Sequence, residues 1–188
     1  MEARAWLGAL VFLAATPALA TVSQGNGELG LDFGATEFDP DTTGHTGVRV
    51  ALRGGYHFSR FFELEGLIGT SIYFESSQFE FPNVKDLHRV FDLTYSFVNG
   101  VFNFRPHNDR IVPYVYAGIG SATLNLSRSF EDRSTATALG AGCRFFGGED
   151  EQVAFRIDLS VMAADNFNVD ATHKSLTLGF THRLGARR

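Results

Sequence analysis

Hydrophobic and polar positions alternate with a period of two along most of the chain beyond residue 27. In the clearest run, 153–161, every odd position is apolar, while the even positions include Arg156, Asp158 and Ser160. Successive side chains of a β-strand point to opposite faces, so this pattern predicts strands with one apolar and one polar face.

Eight such runs follow one another, and each is about ten residues long, the length that a tilted membrane strand needs. They cover residues 28–35, 48–58, 62–74, 90–104, 112–124, 135–145, 153–161 and 176–183. Within the fourth run, the apolar face changes sides between Phe97 and Gly100, which predicts a β-bulge there. The chain shows neither a helical period nor a linker, so the pattern predicts one all-β domain.

The connections between the runs alternate in length. Short connections are predicted around 59–60, at 105–110 and around 147–151, and longer ones at 39–46, 75–89, 125–134 and 163–174. Short turns at one end and long loops at the other are typical of outer-membrane barrels. At the first turn, the apolar parity predicts a three-residue loop, 59–61, with Tyr56 opposite Leu64 and Leu52 opposite Ile68.

The first twenty residues have the features of an export signal. Arg4 supplies a positive charge, residues 5–15 are an apolar core, and Ala18-Leu19-Ala20 is a cleavage site of the A-x-A type. We therefore predict a signal peptide over residues 1–20 and a barrel domain over residues 21–188. The apolar core is short for a membrane span, and the rest of the chain has no run of 18 apolar residues.

Composition excludes several other classes of protein. The chain has 16 Lys and Arg against 21 Asp and Glu, a net charge of −5, which argues against a nucleic-acid partner. Its single cysteine, Cys143, excludes an intramolecular disulfide and a cysteine-cluster zinc site. A mean hydropathy of −0.03 is too low for a helical multi-span membrane protein but is compatible with a membrane barrel. We predict no cofactor and no metal.

The two faces of the predicted strands differ in charge. Aromatic residues such as Tyr56, Phe58 and Phe104 crowd the short turns, which is typical of the girdle at a membrane interface. The opposite face has charges of both signs, which we predict to pair inside the barrel and plug it: Glu28, Asp32, Arg49, Arg53, Glu63, Glu65, Asp92, Arg144, Arg156, Asp158 and Arg183. Arg53 and Glu65 are one expected pair.

Three stretches carry a resemblance to a known family: 99–104 (NGVFNF), 113–120 (PYVYAGIG) and 140–144 (GAGCR). With them, the whole pattern resembles the small outer-membrane β-barrels of the OmpA/OmpX type. The resemblance implies an eight-stranded antiparallel up-and-down transmembrane β-barrel in the outer membrane. It also implies contact with outer-membrane lipids and insertion by the outer-membrane assembly machinery.

The sequence leaves four functions open, one of which is a narrow conduit for small molecules through the barrel. The leading one is a non-enzymatic barrel with a structural, anchoring or surface-interaction role; the second long connection, with Phe79, Phe81, Pro82 and Val84, is the candidate for touching a partner. The second is an outer-membrane lipid-modifying enzyme, for which His57 and Ser59 are the only candidate pair. The third is a soluble periplasmic lipocalin-like carrier, which would bury the apolar faces around an apolar ligand.

Overall fold

The computed structural model describes residues 27–39, 45–59, 61–74, 89–104, 110–127, 130–147, 152–166 and 169–184. They form eight strands: β1 (Gly27–Asp39), β2 (His45–His57), β3 (Phe62–Phe74), β4 (Arg89–Asn103), β5 (Ile111–Ser127), β6 (Phe130–Gly147), β7 (Val153–Asn166) and β8 (Val169–Leu184). The predicted signal peptide and the 79–84 part of the partner segment lie outside the described residues. Among the residues described, no helix is long and apolar enough to cross a membrane.

Each strand pairs antiparallel with the next one along the chain, and β1 pairs with β8, which closes the barrel. The predicted fold class is therefore confirmed. Following paired residues once around the barrel from Gly27 leads back to Glu37, ten residues further along β1. The strands are therefore tilted, and eight tilted strands enclose a lumen just wide enough for side chains.

The side chains alternate between the lumen and the outer surface. On β2, for example, Val50 and Leu52 are exposed, whereas Ala51 and Arg53 are buried. Exposed apolar residues and buried charges are the reverse of a soluble protein and match a membrane barrel. They are also the reverse of a soluble carrier, which needs its apolar side chains inside.

Aromatic side chains surround the end of the barrel at which β2–β3, β4–β5 and β6–β7 connect, called here the short-turn end. Ring centroids of Tyr56 and Phe58 lie 5.0 Å apart, and those of Phe102 and Phe104 also lie 5.0 Å apart. The turn after β2 has the predicted register, with Tyr56 paired to Leu64 and Leu52 to Ile68. This band has the composition and position of an interfacial girdle.

The bulge predicted between Phe97 and Gly100 is wrong. The pairing of β4 runs without a shift through these residues on both sides, and the irregularities of the described ladders lie instead at Tyr73/Phe74 and Asn125/Ser127. The parity of β4 therefore does not change between Phe91 and Asn103. Instead, the apolar residues in the first half of β4 point into the lumen: Phe91, Leu93, Tyr95 and Phe97 are all buried.

Two of the four connections predicted to be long are also shorter than expected. Strands β5 and β6 are separated by residues 128–129 only, and β7 and β8 by residues 167–168 only. Segments 125–134 and 163–174 are mostly continuous hairpin, because their polar residues pair across the ladder. The predicted alternation of short and long connections is therefore wrong except at one place: 75–88 is longer than every connection at the short-turn end, whereas 40–44, 128–129 and 167–168 are not. The end of the barrel with 75–88 is called here the long-loop end.

Candidate functional site: the barrel lumen

Arg53 lies at the centre of a network of buried charges in the short-turn half of the lumen. Its Nε donates a hydrogen bond to Asp32 Oδ2 at 2.7 Å, and its Nη1 donates to Oε1 and Oε2 of Glu65 at 3.0 and 2.9 Å. Its Nη2 lies 3.6 Å from Asp158 Oδ2. One guanidinium thus connects carboxylates from β1, β3 and β7, strands that are not all neighbours.

Arg156 is completely buried and makes a second set of contacts across the lumen. Its Nη1 donates to Glu65 Oε2 at 3.0 Å and lies 3.6 Å from Glu28 Oε1. Its Nε donates to the hydroxyl of Tyr114 at 3.0 Å, and that hydroxyl donates to Asp158. The Cζ atom of Arg156 also lies 4.7 Å from the centre of the Tyr114 ring, a cation–π contact.

Arg144 continues the network towards the short turns. It donates to Asn103 Oδ1 at 2.8 Å and to Glu63 Oε2 at 2.7 Å, and its Nε lies 3.4 Å from Glu28 Oε1. The imidazole of His57 lies between two carboxylates, with Nε2 3.1 Å from Glu28 Oε2 and Nδ1 3.7 Å from Glu63 Oε2. We propose that this network holds the strands together and fills the lumen.

Three residues predicted for the network have other surroundings. Arg49 lies in the lumen but donates to Ser160 Oγ at 3.2 Å and stacks over the Tyr95 ring at 4.8 Å. Arg183 is half-buried, with its guanidinium 3.8 Å from the centre of the Phe146 ring. Asp92 does not belong to the network: it lies between two lumen-facing neighbours and therefore points outwards, because the bulge that would have turned it inwards is absent.

The other half of the lumen is mainly apolar, which the sequence analysis missed. A buried cluster fills it: Ala51, Leu67, Tyr73, Phe91, Leu93, Tyr95, Phe97, Ala122, Leu124, Ala136, Met162 and Ala164. Its polar atoms include the hydroxyl of Tyr73, which lies 2.8 Å from His173 Nδ1 and 3.2 Å from Thr36 Oγ1. Extending the parity of Asn99 and Asn103 back along β4 would have placed these aromatic residues inside.

The two residues considered for lipid chemistry contact different partners. Ser59 Oγ accepts hydrogen bonds from the backbone N–H groups of Phe61 at 3.2 Å and Phe62 at 3.0 Å, as in a side-chain-stabilised turn. His57 faces the lumen and contacts Glu28 and Glu63. The contacts of Ser59 and His57 are thus those of a turn residue and a lumen residue.

Known structures share this architecture. The chain is similar to Neisserial surface protein A (12% identity, TM-score 0.64, covering 85% of this chain and 99% of that one). It is also similar to Ail, the attachment invasion locus protein of Yersinia pestis, solved with the heparin analogue sucrose octasulfate (21% identity, TM-score 0.50, covering 86% of this chain and 99% of that one). A third similar structure is that of the outer membrane protein OprG from Pseudomonas aeruginosa (12% identity, TM-score 0.53, covering 87% of this chain and 97% of that one). At these identities the likeness shows the fold.

No curated protein sequence matches the chain. The family model of the outer membrane protein beta-barrel domain matches residues 7–182, nearly its whole length. The match agrees with two features of the structure, the closed barrel and its apolar outer surface. The chain belongs to the outer-membrane protein β-barrel domain family and is located in the outer membrane.

Proposed function

We propose that this protein is a non-enzymatic outer-membrane barrel, a closed scaffold that presents its long-loop end to a partner at the cell surface. The observation that carries the proposal is the filling of the lumen. Among the described strands, ion pairs occupy the short-turn half and packed aromatic and aliphatic side chains occupy the other half. A barrel filled in this way provides rigidity and anchorage rather than a passage.

Opening a path through this lumen would be costly. Water-filled passage through the short-turn half requires buried guanidinium–carboxylate contacts to separate, and separation leaves uncompensated charges in a confined space. Passage through the other half requires the aromatic cluster to unpack, which forfeits its close van der Waals contacts. Both barriers lie in series along one lumen.

We expect the folded protein to be electrically silent in planar lipid bilayers. Insertion should add no discrete single-channel steps above the lipid baseline, whereas a porin added to the same membrane should show them. Insertion is checked independently by the different gel mobility of unboiled and boiled protein recovered from the bilayer lipid. Reproducible conductance steps from protein that migrates as a folded barrel would contradict the closed scaffold.

The chemistry of the long connection indicates what kind of surface it can contact. Segment 75–89 contains three acidic residues against two basic ones, together with the apolar side chains of Phe79, Phe81 and Val84. Ail was solved with an anionic heparin analogue, but an acidic segment repels polyanions. We therefore propose a protein partner contacted through apolar side chains, rather than a sulfated polysaccharide.

The double substitution Phe79→Ser, Phe81→Ser is expected to remove this contact without unfolding the barrel. On intact cells, photo-crosslinking from position 84 should capture a defined partner with the wild-type chain and lose at least about 90% of it with the double variant, since buried aromatic anchors dominate interface energy. The control is Phe104→Ser, which removes an aromatic residue from the short-turn end. Equal capture by the wild type and the double variant would contradict the assignment of this segment.

A further inference from the structure

Three potential metal ligands meet at the short-turn end of the lumen, on the neighbouring strands β1, β2 and β3. Glu28, His57 and Glu63 each offer one ligand atom, and the three atoms lie within 4.8 Å of one another. His57 is paired directly with Glu63 across the ladder, and Glu28 is paired with Gly55. A side chain at Gly55 would collide with Glu63 Oε1, so the glycine leaves the space into which this carboxylate projects.

Two carboxylate oxygens at this cluster have no hydrogen-bond donor. Glu28 Oε1 and Glu63 Oε1 are buried and accept no hydrogen bond. Glu28 Oε1 lies in two longer ion-pair contacts, 3.4 Å from Arg144 Nε and 3.6 Å from Arg156 Nη1. A buried carboxylate oxygen without a donor is costly. Glu63 gives its other oxygen to Arg144, and Glu28 gives its other oxygen to His57, so each residue still has one oxygen to offer a ligand.

We propose that Glu28, His57 and Glu63 form a binding site for one divalent transition-metal ion, of which Zn²⁺ is the best match. An imidazole nitrogen with two carboxylate oxygens is a ligand set that suits zinc, and water can complete the coordination. Arg144 contacts both carboxylates and would orient them, as groups around a metal site commonly do. The ion would tie together three consecutive strands at the end of the barrel.

The test is metal binding by the full-length protein folded in detergent and first dialysed against EDTA. In equilibrium dialysis against ZnCl₂, with metal quantified by mass spectrometry, we expect about one zinc per barrel. His57→Gln should weaken binding at least about 100-fold, since loss even of an outer partner of a ligand commonly weakens binding about 10–100-fold. The matched control is His182→Gln, since His182 is exposed on the outer face of β8 and should leave binding unchanged.

A second variant keeps the test decisive if His57→Gln does not fold. Glu63→Asp keeps the charge that Arg144 needs but withdraws the carboxylate by one methylene, and it should also weaken zinc binding. A folded wild type that takes up no zinc would overturn the site. Zinc binding that is equal in the wild type, His57→Gln and Glu63→Asp would overturn it as well.

Discussion

Replacing Arg156 by methionine is expected to lower the free energy of unfolding by about 3–5 kcal/mol, because it removes one member of a buried ion-pair network. Arg156 is 0% exposed. Its guanidinium forms ion pairs with Glu65, Glu28 and Asp158 and donates a hydrogen bond to the Tyr114 hydroxyl. Methionine fills much of the same volume. The loss of unfolding free energy therefore measures the cost of leaving the carboxylates without a cation, rather than the cost of a cavity. Reversible urea unfolding in lipid vesicles gives the number.

Two comparisons separate this cause from a general effect of mutation. Arg133→Met removes an arginine from an exposed outer position of β6 and should change stability by less than about 0.5 kcal/mol. Adding Glu65→Gln to Arg156→Met should recover part of the loss, since it neutralises a carboxylate that the first change leaves unpaired. Wild-type stability of Arg156→Met would show that the guanidinium is not needed to balance the lumen.

Most of the fold could be predicted from the period of two in the sequence. The number of strands, their order and the register of the β2–β3 hairpin follow from which residues share a parity, as Leu52 opposite Ile68 shows. A one-residue slip would move every side chain of a strand to the wrong face, so parity is a strong constraint on register. The ends of the strands are less constrained, because polar residues pair in a hairpin as readily as apolar ones.

The interior of the barrel was harder to predict, and β4 shows why. Alternation tells which residues share a face, but hydrophobicity alone cannot tell which face is inside when both the lumen and the lipid accept apolar side chains. The pattern therefore predicts Phe91 and Phe97 on the outer face and requires a bulge between Phe97 and Gly100, where the ladder contains none. Asp92 was misplaced for the same reason.

The partners within the lumen could not be predicted either. Sequence spacing can predict a contact within one hairpin, such as that of Arg53 with Glu65, because paired strands are neighbours along the chain. The contacts of Arg144 with Glu63 and of Arg156 with Glu65 span the lumen between strands that are not adjacent. They depend on tilt and side-chain length, which the pattern of alternation does not contain.

Leu52→Arg is expected to destabilise the folded barrel in lipid vesicles by about 2–4 kcal/mol, the range measured for arginine facing lipid near the middle of a bilayer. Leu52 lies in the middle of β2, faces outwards and is 63% exposed. On the surface of a soluble protein, such an exposed position would accept arginine at almost no cost. The same substitution therefore distinguishes a lipid-facing surface from a water-facing one.

Thr46→Arg is the matched control for this prediction, since Thr46 has the same outward parity on the same strand but is only its second residue. Near the membrane interface an arginine costs about 0–1 kcal/mol, because its long side chain reaches water. A large loss at Leu52 with a small one at Thr46 would measure the depth of the apolar band along β2. Equal, small losses at both positions would mean that the outer face of β2 meets water, which would contradict a membrane-spanning barrel.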